Sequence, residues 1–282
     1  MNKPNCFLVG GVRSGTTSLF EYLGQHPQVF APAVKGIDFF GEYPNAGYPK
    51  FFGNLKKYLA LYKKAKNEKI LLDASHYFHV QKAPEKIKKF NPRSKIIIIL
   101  RNPLEIIQSQ VNNGHMGIRG NAKKALSQKN EGKRLLIENL KFSRNIKNYI
   151  RVFGEENVYI TLLDDWKKNP EKEYKKLCNF LELKEYKLIN FKVYSPSSEP
   201  RKNGINKLLT FCPLSIRIFL KENLSVNFVK KIKRTLNKYS LKEMTKKKAL
   251  PLEIKEKLKQ EYKNEILKTS KLINRNLSFW LE

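Results

Sequence analysis

The sequence is poor in several residue types and patterns, and each shortage excludes a class of protein. Three cysteines among 282 residues, widely spaced and odd in number, form neither a disulfide framework nor a metal-binding pattern, so we expect a reducing compartment. No apolar run approaches the roughly 18 residues of a membrane span. The N-terminus lacks the apolar core and cleavage site of a signal peptide. These absences predict a cytoplasmic protein without a transmembrane span.

Acidic residues are also scarce: 25 Asp and Glu stand against 56 Lys and Arg, which gives a net charge of +31. Such an excess favours an anionic partner, whether nucleic acid, acidic lipid, acidic glycan or a phosphorylated cofactor, although a solvated lysine-rich surface gives the same number. Hydrophobic residues make up 41% of the chain and exclude general disorder. The sequence has no recognition helix, zinc finger or RNA-binding aromatic signature, so we expect no nucleic-acid partner.

Short apolar segments alternate with helical patterns along the first part of the chain. Strands are predicted at 6–9, 70–72, 95–100 and 158–163. Helices are predicted from 16, over 84–90, from 103, over 135–153 and over 170–181. Asn102, Pro103 and Glu105 are typical of the N-cap, the first position and the reciprocal cap of a helix. Strands separated by helices predict an α/β fold with a central parallel β-sheet flanked by helices, in one domain over 1–282.

The later part of the chain is basic. Residues 201–250 carry 14 Lys or Arg and two acids, interleaved with apolar side chains. This pattern predicts a basic amphipathic helix that packs on the core or lies on an anionic surface, so a peripheral membrane contact stays open. A last helix is predicted from Pro251 to about Ile273, which makes 201–275 a mainly helical, basic part.

A glycine loop follows the first predicted strand and opens the first predicted helix. Gly10 and Gly15 have the spacing of a Walker A loop, but Thr16 stands where that motif needs lysine. The missing lysine speaks against a P-loop nucleotide kinase or NTPase. Backbone N–H groups and the positive end of the helix can still bind a phosphate there, and Arg13 is the cation of the loop. The hydroxyls that can donate to the phosphate are those of Ser14, Thr16, Thr17 and Ser18.

Two motifs carry a resemblance to a known family. The run 11–19 resembles the 5′-phosphosulfate loop of sulfotransferases that use 3′-phosphoadenosine 5′-phosphosulfate (PAPS), with Arg13 where many members have lysine. The run 96–103 resembles the family's second element, a strand that ends in Arg and then Asn-Pro, with Ser eight residues after the Arg. In the family this Arg and Ser hold the nucleotide 3′-phosphate, which implies that role for Arg101 and Ser109.

The resemblance extends nearly to the end of the chain. The segment 198–203 resembles the family's basic loop that closes over the nucleotide, which nominates Arg201, and the ending 276–281 looks like that of bacterial members. A bacterial sulfotransferase similar to the glycan type implies a P-loop kinase-like fold, PAPS as cosubstrate, no metal, and a hydroxyl or amine acceptor such as a carbohydrate. Arg13 would then be catalytic, because its charge would stabilise the leaving nucleotide.

The general base stays open among several residues. Glycan-type members often carry Lys-Glu-x-x-Phe-Phe with the Glu as base, but Gly36 occupies the Glu position here. The main candidates are Asp38, two residues on, and His76, which lies near the place where cytosolic-type members have a catalytic His. The further candidates are His115, Asp73 and Glu42. A non-enzymatic polyanion-binding protein is the alternative from another functional class, because of the net charge of +31.

Overall fold

The computed structural model describes residues 2–41, 53–114, 117–187, 191, 198–200, 241–243 and 248–282. The central sheet consists of β1 (Cys6–Gly10), β2 (Val29–Phe30), β3 (Ile70–Ala74), β4 (Lys95–Leu100) and β5 (Val158–Leu162). The strands lie in the order β2-β3-β1-β4-β5, and each neighbouring pair is parallel. The predicted central parallel sheet is therefore confirmed.

Helices occupy the connections between these strands, as parallel pairing requires. The helices are α1 (Thr16–Leu23), α2 (Leu55–Ala60), α3 (Ala83–Phe90), α4 (Pro103–Asn113), α5 (Ala122–Ser127), α6 (Glu131–Leu140), α7 (Phe142–Phe153), α8 (Leu163–Lys168), α9 (Pro170–Phe180) and α10 (Leu252–Leu272). Short 3₁₀ turns cover Glu155–Asn157 and Ser278–Trp280. A separate antiparallel pair joins β6 (Ser198–Pro200) to β7 (Leu241–Glu243).

The core lies on both faces of the sheet, because side chains alternate along each strand. On β4, Ile96 and Ile98 belong to one buried cluster, which also holds Tyr149 of α7. Ile97 and Ile99 belong to the other cluster, together with side chains of α1 and α9. A strand buried on both faces needs a continuous apolar sequence, and this run predicts β4 from the sequence alone.

One predicted helix is interrupted. The expected continuous helix over 135–153 was wrong: α6 ends at Leu140, Lys141 takes φ −78° and ψ 61°, and α7 begins at Phe142. The side-chain amide of the buried Asn145 donates to the carbonyl oxygen of Glu138 at 2.8 Å. In a continuous helix this carbonyl would accept from Phe142, so the Asn145 side chain replaces a helical hydrogen bond at the break.

The basic C-terminal part is described only in pieces. The helix α10 confirms the last predicted helix. Within 201–250, residues 241–243 form the strand β7 and residues 248–250 have no regular structure. Residues 201–240 and 244–247, including Arg201, lie outside the described residues, so the helix predicted there stays a prediction. Among the described residues, the structure contains no helix long and apolar enough to cross a membrane.

A buried carboxylate at the end of β3 organises the segment that follows it. Asp73 is fully buried and accepts hydrogen bonds from Ser75 Oγ (2.6 Å), Tyr58 OH (2.7 Å) and Tyr77 OH (3.1 Å). These three hydroxyls stabilise the ionised carboxylate, but burial outweighs them and raises the pKa of Asp73 from 3.8 to about 6. Asp73 thereby fixes the chain that follows β3 at this edge of the sheet.

Asp73→Asn is expected to remove a pH-dependent part of the stability. Burial raises the pKa of Asp73 to about 6, so the folded chain keeps this proton at a pH where the unfolded chain has already lost it. The stability that this proton contributes is fully present below the pKa of Asp73 in the unfolded chain. It is lost as the pH rises through the pKa of Asp73 in the folded chain. Urea unfolding of both proteins from about pH 4 to pH 7 measures this loss as the difference between the two profiles.

Tyr77→Phe is the matched variant for this measurement. It keeps the carboxyl group of Asp73 but removes a hydroxyl that stabilises the ionised form, so the loss of stability moves to higher pH. This account would be contradicted if the free energy of unfolding changed with pH in the same way for wild type and Asp73→Asn over the whole pH range.

Candidate active site

The glycine loop lies where β1 ends and α1 begins. Gly11 N donates to Ile99 O of β4 at 2.6 Å, which fixes the loop against the neighbouring strand. Gly15 is the N-cap of α1 with φ +90°, a conformation that favours glycine, and a Cβ atom there would displace the side chain of Leu163, whose Cδ1 would lie 2.9 Å away. The N-cap provides no side-chain cap to α1. The positive end of the helix is therefore directed at the loop.

The loop hydroxyls lie around this helix start. Ser14 is buried and donates to Val12 O at 3.2 Å. Thr16 Oγ1 accepts a hydrogen bond from Lys35 Nζ at 3.1 Å. Thr17 and Ser18 are partly buried in the first turn of α1. The structure thus brings together all four hydroxyls that the sequence nominated.

The second predicted phosphate element contacts the loop directly. Arg13 Nε donates to Ser109 Oγ of α4 at 2.9 Å, and Arg101 Nη1 donates to the carbonyl oxygen of Arg13 at 2.9 Å. Burial, and then the nearby charge of Arg101, lower the pKa of Arg13. Two guanidinium groups and a hydroxyl are therefore gathered in one partly buried cluster, which is the chemistry of a phosphate site.

The start of α4 places Ser109 in this cluster. Asn102 Oδ1 accepts from Leu104 N at 2.9 Å and Pro103 is the first helical residue, which confirms the predicted helix start. Glu105 does not act as the reciprocal cap; its Oε2 accepts from Arg101 Nε at 2.7 Å. This ion pair holds the guanidinium of Arg101 toward the glycine loop.

On the other side of the loop, Asp38 and His76 form a pair. Asp38 is 4% exposed with φ +53°, and its Oδ1 accepts from His76 N at 2.8 Å. The same oxygen lies 3.6 Å from His76 Nδ1, while the His76 side chain is 51% exposed. Asp38 Oδ2 is buried without a hydrogen-bond partner in the described part of the chain. The imidazole is therefore open to solvent and the carboxylate behind it is not.

Gly36 lies beside the ring of His76. Its φ is +75°, and a Cβ atom at this position would lie 3.6 Å from His76 Cε1. The place where the family pattern has glutamate is thus adjacent to the imidazole, and the backbone there favours glycine. The imidazole of His76 therefore lies beside the position at which the family pattern has its glutamate side chain.

Lys35 joins the two sides of the site, and the phosphate motifs did not single it out. Its Nζ contacts Thr16 of the glycine loop, while Asp38 lies three residues further along its own segment. Burial lowers the pKa of Lys35 to about 8, although the nearby Asp38 and Asp73 raise it. The sequence signal for Lys35 is that it stands at the lysine position of the family's Lys-Glu-x-x-Phe-Phe pattern, in the segment that ends in Phe39-Phe40.

The remaining nominated residues are either enclosed by other side chains or lie outside the described residues. Asp73 is enclosed by its three hydroxyl donors. Both ring nitrogens of His79, a residue that was not nominated, are buried without a partner in the described segments, and burial lowers its pKa to about 4. Glu42, His115 and Arg201 lie outside the described residues. In the described ranges no cluster of His, Cys, Asp and Glu side chains could hold a metal ion.

Comparisons with known proteins agree with this geometry. A sulfotransferase domain model matches residues 3–270 of the chain. A segment of 109 residues, 38% of this chain, is 30% identical to the membrane-associated sulfotransferase kil1 of Dictyostelium discoideum and covers 22% of that protein. A segment of 102 residues, 36% of this chain, is 29% identical to heparan sulfate glucosamine 3-O-sulfotransferase 6 of Mus musculus and covers 28% of that protein. The matches thus span less than a third of either relative.

The fold has a solved counterpart over its whole length. The crystal structure of a sulfotransferase from Alicyclobacillus acidocaldarius superposes with a TM-score of 0.72 at 18% identity, with 100% of both chains covered. This likeness confirms the expected α/β fold of P-loop kinase type with a central parallel sheet. Because the domain model covers 3–270 of the 282 residues, the chain belongs to the family of sulfotransferase domains.

Proposed function

We propose that the protein is a PAPS-dependent sulfotransferase that moves the sulfuryl group to a hydroxyl or amine of a carbohydrate or related small molecule. The observation that carries this proposal is the contact between two anion-binding elements on neighbouring strands. Arg13 of the glycine loop donates to Ser109, which follows Arg101. A nucleotide with a 5′-phosphosulfate and a 3′-phosphate needs two such elements side by side. PAPS would supply the sulfuryl group in an already activated form.

The nucleotide side of the site fits this ligand. Backbone N–H groups of the loop, the start of α1 and the hydroxyls of Ser14, Thr16, Thr17 and Ser18 would hold the 5′-phosphosulfate. Arg101 and Ser109 would hold the 3′-phosphate, and the family resemblance adds Arg201 as a further residue that would bind the nucleotide. Arg13 would lie between the two groups and stabilise the charge that grows on the leaving phosphate. Thr16, at the Walker lysine position, argues against the alternative of a kinase or NTPase.

On the acceptor side, His76 is the proposed base. The half-exposed imidazole can reach an acceptor, whereas Asp38 has one oxygen engaged by His76 N and the other buried. Asp38 would therefore orient the ring, so that Nε2 takes the proton of the acceptor. This arrangement uses protein groups alone, and we propose that the reaction requires no metal.

The relatives, rather than side chains of the site, support the proposed acceptor class. The name of the mouse relative gives heparan sulfate glucosamine as its substrate, and an anionic sugar chain would be attracted by a net charge of +31. These observations favour a sugar hydroxyl or amine as the acceptor. The cysteine content separately leads us to propose a reducing compartment, the cytoplasm, as the location of the enzyme.

Transfer of radiolabelled sulfuryl groups tests the proposed activity. The protein is incubated with labelled PAPS in EDTA and a panel that contains N-sulfated heparosan, glucosamine and a simple phenol. Label on at least one panel member, together with stoichiometric release of the desulfated nucleotide, is the expected result. Transfer that appears only after Mg²⁺ is added, or label that never leaves PAPS, would contradict the proposal.

Arg101→Ala is expected to affect the 3′-phosphate selectively. Loss of a charge-assisted hydrogen bond costs about 1.5–3 kcal/mol, or roughly tenfold or more in affinity. The affinity for 3′-phosphoadenosine 5′-phosphate (PAP) should fall by that factor, while adenosine 5′-phosphosulfate, which lacks the 3′-phosphate, should lose much less. Calorimetric titration of both nucleotides measures the difference. Equal losses for the two ligands would remove Arg101 from the 3′-phosphate site.

His76→Asn and Asp38→Asn separate the base from the group that orients it. Loss of a general base lowers kcat by about 100-fold or more, whereas loss of the orienting carboxylate should cost less. Both variants should keep their affinity for PAP within about threefold, because neither residue is assigned to the nucleotide. Initial rates at saturating PAPS measure the two losses. A larger loss of kcat in Asp38→Asn than in His76→Asn would assign the base to Asp38 instead.

A further inference from the structure

Two cations at the glycine loop, Arg13 and Lys35, are directed to different partners. The Nε of Arg13 is directed to Ser109, on the side of the 3′-phosphate element. The Nζ of Lys35 contacts Thr16 Oγ1, at the start of α1. Lys35 belongs to the same segment as Asp38, which holds His76, so it lies between the nucleotide loop and the proposed base.

From this position we propose that Lys35 is a catalytic residue whose ammonium group binds the oxygens of the sulfuryl group during transfer. This inference rests on the proposed function and adds a residue to it. The bond between sulfur and the 5′-phosphate oxygen breaks as the acceptor atom bonds to sulfur, and the acceptor proton passes to His76. Lys35 keeps its proton throughout and contributes only charge and hydrogen bonds.

The surroundings of Lys35 are those of a cation that lacks its anion. An ammonium group has three N–H donors, and the neutral hydroxyl of Thr16 takes one of them. No carboxylate forms an ion pair with Lys35 among the described residues, although the group is partly buried. Burial outweighs the attraction of the nearby Asp38 and Asp73 and lowers the pKa of Lys35 to about 8, so these two carboxylates compensate the buried charge only in part. An anion bound between Thr16 and His76 would supply the missing partner.

A structural role for Lys35 predicts a different behaviour. A lysine that only ties the segment 35–38 to α1 would affect PAPS and PAP equally when it is replaced. A lysine that holds the 5′-phosphate would weaken both nucleotides, since both carry that phosphate. A contact to the sulfuryl group, which PAP lacks, would instead weaken PAPS far more than PAP.

The test compares Lys35→Met, Lys35→Arg and the control Lys57→Met, which removes the same charge from an exposed lysine of α2. Calorimetry gives the affinities for PAPS and PAP, and initial rates give kcat. Lys35→Met should weaken PAPS about tenfold and leave PAP within about threefold, because one charge-assisted contact is lost. Its kcat should fall about 100-fold. Lys35→Arg should recover part of the rate, and Lys57→Met should match wild type.

The results separate this inference from the proposed function. Equal changes in PAPS and PAP affinity, or a normal kcat in Lys35→Met, would overturn the role of Lys35 even if the wild type transfers sulfuryl groups. A wild type that transfers none would contradict the proposed function, while the comparison of PAPS with PAP still decides whether Lys35 binds the sulfuryl group.

Discussion

The site depends on the parallel pairing of β1 with β4. Because parallel strands end at the same edge of a sheet, this pairing brings the chain after Gly10 next to the chain after Leu100. The hydrogen bonds from Gly11 N to Ile99 O and from Arg101 Nη1 to Arg13 O then lock one loop to the other. In the proposed function each motif binds one anion, and the pairing of the two strands is what would let one ligand with two phosphate groups reach both motifs.

The acceptor side depends on β3, the other neighbour of β1. The buried carboxylate of Asp73 binds Ser75 Oγ, and that oxygen accepts from the backbone N–H groups of Ile37 and Asp38. These contacts connect the segment 35–38 to the end of β3 and place Asp38 against His76. A single hydrogen-bonded chain therefore runs from the core of the sheet to the proposed base, so buried groups set the geometry at His76.

The sequence predicted the parts of this arrangement that are local. The apolar run of β4, the Asn102-Pro103 helix start and the two phosphate motifs each depend on residues close together in the chain. It did not predict the break at Lys141, because the amide of Asn145 turns inward without changing the apolar periodicity. The contact of Lys35 with Thr16, and the order of Asp38 behind His76, arise between distant segments. No pattern of spacing contains such pairings, which only tertiary packing creates.

Two anion sites on one sheet edge should recognise a nucleotide with phosphates at both its 5′ and 3′ positions. A ligand that binds the folded chain and not the unfolded one raises the unfolding temperature. Thermal unfolding with PAP in EDTA, compared with ATP and Mg²⁺ at the same concentration, measures this recognition. We expect a clear rise of the unfolding temperature with PAP in the absence of metal and a much smaller rise with ATP and Mg²⁺. A larger rise with ATP and Mg²⁺, and none with PAP, would contradict this expectation.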